Sequence, residues 1–184
     1  MKRFLFAFFA AALCLSPAIA SPVAPARGQI KGDIVQVNQL FHIGGFNVRV
    51  LKLEWVAADS AFVKGLEDPP QIDEGKGALV ITATLKNTAQ DAQELLVPTI
   101  QVFYKDATQS DEDDRYPRTA AGKDISGDYQ PGQGMTVRYS IPNVPKPTAD
   151  NPVTKILVKP QNAGDNDEGF PKVFRMLSPP VSAP

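Results

Sequence analysis

The sequence predicts an all-β fold, two antiparallel sheets of about seven strands packed face to face, from three observations. Apolar residues recur at every second position in the best-patterned segments. No segment sustains a 3.6-residue apolar period, so the helical crossovers that a parallel sheet needs have no source. Proline and glycine punctuate the patterned runs, as at Pro69-Pro70, Pro131-Gly132 and Pro142.

Taken in chain order, Met1-Lys2-Arg3 followed by the apolar run Phe4 to Leu15 and by Ala18-Ile19-Ala20 reads as a signal peptide cleaved after Ala20. Its 12-residue apolar run is too short for a bilayer core of about 30 Å. Lipidation of Cys14 is disfavoured by Leu13 at a position that requires a small side chain. Removing 20 of the 184 residues leaves 164, room for one domain. Ser21 to Gly28 reads as a flexible leader, residues 29–176 as the domain, and Leu177 to Pro184 as a proline-rich disordered tail.

Within the domain, Ala78 to Asn87 alternates most clearly. Leu79, Ile81, Ala83 and Leu85 point one way, and Val80, Thr82, Thr84 and Lys86 the other. Met135, Val137, Tyr139 and Ile141 repeat the pattern, with Thr136, Arg138 and Ser140 outward and Pro142 expected to end the strand. Phe46 to Val56 changes phase: Phe46, Val48 and Val50 share one parity, and Leu51, Leu53 and Trp55 the other. An extra residue near Val50-Leu51, or a bend between sheets, would bury both sets. Ile34 to Gln39, Thr99 to Lys105, Val153 to Lys159 and Val173 to Leu177 complete the count. That many short strands in a domain of this size is the pattern of an immunoglobulin-like sandwich, with Trp55 a candidate core aromatic on an unassigned strand. There is no internal repeat and no heptad pattern.

The run Gly77 to Thr88, ending in Lys86-Asn87-Thr88, and the later run Tyr129-Gln130-Pro131-Gly132 leading into Met135 to Ile141 and Pro142, carry a resemblance. Together they resemble the family of secreted bacterial immunoglobulin-like domains that includes the mycobacterial immunoprotective extracellular antigen. The resemblance spans roughly Gly44 to Lys159. It implies a fold and secretion, and brings no catalytic residues with it.

Composition narrows function further. Lys2 and Arg3 leave with the signal peptide, so 17 basic residues face 20 acidic ones in the mature chain, a net charge of −3. A nucleic-acid partner needs a dense basic footprint, and none is present. Cys14 is the one cysteine, so the mature chain lacks disulfides, thiol catalysis and thiolate metal sites. A fold without such staples stands on burial alone, which a chain of this length can supply.

His42 is the single histidine, and no Gly-x-Ser-x-Gly elbow accompanies it, so it reads as a packed or edge residue. Imidazole-based metal sites need more ligands than one histidine provides. Two acidic clusters, Asp111-Glu112-Asp113-Asp114 and Asp165-Asn166-Asp167-Glu168, are the candidate calcium ligands. The second lacks the spacing of an EF-hand loop, and acidic runs of this kind read first as solvated loops. The two long connections, Ala57 to Gly77 and Asp106 to Gln130, are where any binding surface is expected, or else each contains a short edge strand. Tyr116 beside Arg115 and Arg118 is the candidate contact, whereas Phe62 reads as a cap on one end of the core.

The reading is therefore a non-catalytic, secreted or periplasmic β-sandwich that binds a protein or another envelope component. It expects no catalytic, cofactor-binding or metal residues, no cofactor, no nucleic-acid partner and no membrane anchor after cleavage. The alternatives are a calcium-dependent binding domain and a hydrolase built on a carboxylate pair.

Overall fold

Dyadic alternation in the sequence becomes two sheets in the computed structural model, which describes residues 34–43, 45–94, 96–111, 113–160 and 175–177. In chain order the elements are β1 (Ile34–Val35), β2 (Leu40–Ile43), β3 (Phe46–Ala57), α1 (Ala61–Lys64), β4 (Lys76–Asn87), β5 (Pro98–Tyr104), β6 (Asp113–Asp114), β7 (Gly134–Pro145), β8 (Val153–Pro160) and β9 (Arg175–Leu177). One sheet has four strands in the order β2-β3-β4-β7, and the other five in the order β1-β9-β8-β5-β6. Between them lies one core, to which Leu79, Ile81, Val137 and Ile141 contribute from the first sheet and Ile100, Val102, Ile156 and Val158 from the second.

The strand order is that of an immunoglobulin-like sandwich: β3-β4-β7 stand as A-B-E, and β9-β8-β5-β6 as G-F-C-C′. Strand D is reduced to one bridge. The chain leaves β6 at the edge of one sheet and pairs Arg118 with Arg138 on the edge of the other, the two residues exchanging both backbone hydrogen bonds at 2.8 Å. Every named strand pairing is antiparallel except β1 with β9, which is parallel. The exception needs no helical crossover, because the two strands stand at opposite ends of the domain and the whole of it connects them.

Most of the expected strands are present, and their departures have local causes. Strand β3 shifts register between Val50 and Lys52. The bulge puts Phe46, Val48, Val50, Leu53 and Trp55 all in the core, but Leu51, expected with the second buried set, is the extra residue and is exposed. Strand β7 runs through Pro142 to Pro145 rather than ending there. It is an edge strand, so the missing proline N–H breaks no ladder, and the pairing with β4 slips between Gly77 and Leu79. The expected strand at residues 34–39 is shorter: β1 stops at Val35, a turn with Asn38 at positive φ follows, and Leu40–Ile43 forms β2, which the alternation did not single out. Leu177, read both as the end of a strand and as the start of the tail, belongs to the strand and pairs with Val35 and Ile156. The signal peptide, the leader, residues 178–184 of the tail, Val173 and the second acidic cluster lie outside the described residues.

Trp55 falls on β3. Its indole N–H donates to the Val144 carbonyl at 3.1 Å, and its ring lies on Gly77 of the neighbouring strand. A Cβ at Gly77 would come within 2.4 Å of that ring and 2.3 Å of the Val56 carbonyl oxygen, so only glycine fits. The last residue of β4, Asn87, is fully buried and serves as a backbone surrogate. Its amide donates to the carbonyls of Asp91 (3.0 Å) and Tyr129 (2.7 Å), and its Oδ1 accepts from the Ala89 N–H (2.8 Å).

Candidate functional site

Alternation along β4 and β7 puts Val80, Arg138 and Ser140 on the outer face of the four-stranded sheet, with Val80 paired opposite Ser140. An outer-facing valine on a bare sheet would be wet, yet Val80 is buried. The first long connection folds over it. Ser60 caps the single helical turn α1, its Oγ accepting from the Val63 N–H. Val63 and Leu66 are then buried outside the main core, and the Phe62 ring lies 5.2 Å under the Arg138 guanidinium. Phe62 therefore lies half-buried on the sheet's outer surface, not as a cap on the core.

The second long connection meets the first at the same place. Its anchor to β5 is the Arg115 N–H donating to the Pro98 carbonyl at 2.8 Å, and its anchor to β7 is the Arg118 bridge. Thr119 and Lys123 close a turn held further by the Arg118–Asp124 ion pair at 2.7 Å. Between the two connections and the edge of β7 opens a cleft of about 110 Å³. From the first connection come Leu66, Asp68 and Pro70. The second supplies Arg115, Tyr116 and Arg118, and β7 supplies Ser140 and Pro142.

Its polar groups are unevenly engaged. Arg115 pairs with Asp113 at 3.2 Å, its side chain nearly covered. Arg118 commits Nη1 to Asp124 and to the Gly122 carbonyl (3.3 Å), and no other guanidinium nitrogen of this residue bonds the described residues. Ser140 Oγ is buried and has no hydrogen-bond partner among the described residues. Tyr116 is 61% exposed although its neighbours on both sides are anchored. An exposed aromatic on an ordered segment, at the rim of a concave surface lined by charged and apolar side chains, has the geometry of a contact surface.

Arg115, Tyr116 and Arg118 were legible as a sequence triplet. Asp68 and Ser140 were not, because nothing in the order of residues places residue 68 beside residue 140. His42 stands exposed on β2, its Nδ1 3.2 Å from Asn47 Oδ1 on β3. Of the first acidic cluster, Asp113 is drawn to Arg115, and Glu112 lies outside the described residues. Among the described residues, no three His, Cys, Asp or Glu side chains converge as a metal site, and no helix is long and apolar enough to cross a membrane. A second, shallower concavity of about 580 Å³ lies elsewhere on the outer face, between Leu40, Leu51, Arg49 and Lys86. It is a stretch of pleated strand surface rather than a meeting of loops.

Buried tyrosines clamp the sandwich near the site. Tyr104 donates to the Pro145 carbonyl at 2.6 Å, and burial, reinforced by the nearby Asp106 carboxylate, pushes its pKa up to about 12. Tyr139 donates to the Leu96 carbonyl at 3.0 Å, and complete burial raises its pKa further.

The two sheets, their order and their shared core define a protein of the all-β sandwich class. No protein-family model matches the chain, and no curated protein does. Among solved structures it is similar to an uncharacterised β-sandwich protein from Clostridium difficile 630, with 17% identity over 82% of this chain and 95% of that one and a TM-score of 0.49. It is also similar to a conserved hypothetical protein from Bacillus anthracis (16% identity, 67% and 87% of the two chains, TM-score 0.41). The yjhA protein from Bacillus subtilis is a third, with 14% identity over 80% and 98% of the two chains and a TM-score of 0.42.

Proposed function

We propose that this protein is an exported, non-catalytic binding module of the cell envelope or extracellular space, and that it holds its partner at the cleft between the two long connections. The observation that carries the reading is the convergence there of two loops, each anchored to the sandwich, that leave the Tyr116 ring exposed at the rim of a concave surface. Rigid scaffolds presenting loop side chains are the usual geometry of recognition. The export signal at residues 1–20 supports the location, and the resemblance carried by residues 77–88 and 129–142 supports membership of the secreted immunoglobulin-like family.

The test is cosedimentation of the exported chain with isolated cell envelope. Retention is expected, falling about tenfold in Tyr116→Ala, the contact most exposed at the cleft. No retention, or retention untouched by that substitution, would overturn the reading. Turnover of any hydrolase substrate, abolished by replacing one carboxylate, would overturn its non-catalytic part.

A further inference from the structure

The cleft's chemistry narrows its ligand. Arg118 offers guanidinium N–H groups beyond the Nη1 that Asp124 and Gly122 occupy. Asp68, on the opposite connection, makes no hydrogen bond to the described residues, and an ionised carboxylate only accepts. A simple anion at this place would face Asp68, and a simple cation would face Arg118.

The complementary ligand is uncharged and carries adjacent groups that donate and accept together. It also needs an apolar face, because Leu66, Pro70 and Pro142 form the walls and the Tyr116 ring stands open at the rim. At about 110 Å³ the space is well below the roughly 300 Å³ at which drug-sized ligands begin, so it fits one ring rather than an extended molecule. A pyranose meets all of these demands. Its hydroxyls donate and accept in neighbouring pairs, and its axial C–H groups carry the slight positive charge that the negative face of a tyrosine ring attracts.

We propose, resting on the binding reading above, that this cleft is a saccharide subsite that takes one neutral pyranose unit of a glycan. Tyr116 stacks on the ring, Arg118 donates to its oxygens, and Asp68 accepts from its hydroxyls.

The experiment uses the exported chain, labelled with ¹⁵N, and three neutral probes: cellotetraose, maltotetraose and tetra-N-acetylchitotetraose. At about 10 mM, enough to reveal a millimolar dissociation constant, at least one should shift amides of residues 66–70, 115–118 and 140–142 together. Affinity for that probe should fall about tenfold in Tyr116→Ala and be largely kept in Tyr116→Phe, which retains the ring. Asp68→Ala should weaken it several-fold, while Leu51→Ser, on the far part of the sheet, should leave it unchanged. Melting temperatures of the Tyr116 variants should match the parent, since that side chain is exposed. No localised shift with any probe, shifts confined to other residues, or a neutral tripeptide amide moving the same amides when no glycan does would overturn the proposal. If envelope retention is still lost in Tyr116→Ala, such a result overturns the saccharide assignment alone; if retention itself is absent, the binding reading fails with it.

Discussion

Asn87 and Ser140 are both polar side chains drawn into a sheet of apolar neighbours, and the protein treats them oppositely. Every hydrogen-bonding atom of the Asn87 amide group is used, tying the end of β4 to the turn at Asp91 and to Tyr129. Ser140, on the adjacent strand, has a buried Oγ with no partner in the described protein. A buried polar atom that is satisfied holds the fold together, whereas one left open costs stability unless something else completes it. The contrast separates an atom that ties a strand end to its turn from one that adds nothing to the hydrogen bonding of the described residues.

Substitutions sharpen that contrast. The largest effect is expected deep inside, at Gly77→Ala, where the new Cβ meets both the Trp55 ring and the Val56 carbonyl. A loss of about 3 kcal/mol in urea unfolding is expected, and a loss below about 1 would show that β3 and β4 separate more easily than their packing indicates. Next is Asn87→Ala, which strands buried backbone groups and should cost about 2 kcal/mol by the same measurement.

Tyr104→Phe should cost about 1 kcal/mol at neutral pH through the lost bond to Pro145. It should also change the alkaline behaviour. A tyrosine whose folded pKa is raised to about 12 holds its proton more tightly folded than unfolded. Its contribution is therefore intact below about pH 10 and drains away as pH rises toward the folded value. The variant should lose less stability over that interval in pH-jump unfolding, with Tyr139 and Tyr129, both also raised by burial, left to supply the remaining alkaline loss. The smallest effect is expected at Ser140→Ala, within about 0.5 kcal/mol of the parent or slightly stabilising. If Ser140→Ala destabilised the protein as much as Asn87→Ala, the distinction between the two regions would collapse.

How far each region was legible in the sequence follows the same division. The faces of β4 and β7 were readable residue by residue, because a strand with one side in a core must alternate. The slip in β3 was readable as well, since no unbroken strand buries both Val50 and Leu53. Which residue would be pushed out was not. Leu51 and Leu53 are the same amino acid, and only the register with Ala83 and Thr82 decides between them. Pro142 misled for a related reason: whether a proline stops a strand depends on whether its N–H side faces a neighbour, and β7 becomes an edge only once the sheet is assembled. At the cleft, Arg115, Tyr116 and Arg118 stood together in the chain. Their opposite wall came from residues far away in sequence.

From the order of residues alone came two-layer β architecture, the alternating faces, the slipped strand and the two connections worth inspecting. These are short-range properties, fixed by side-chain period and by local backbone restrictions of proline and glycine. The assembled tertiary structure alone decided that Gly77 lies beneath Trp55, that Asn87 is a buried clamp, that strand D shrinks to one bridge at Arg118, and that Asp68 faces Ser140 across a cleft. Each is a meeting of residues distant along the chain, and the packing of whole sheets, which no local rule encodes, brings them together.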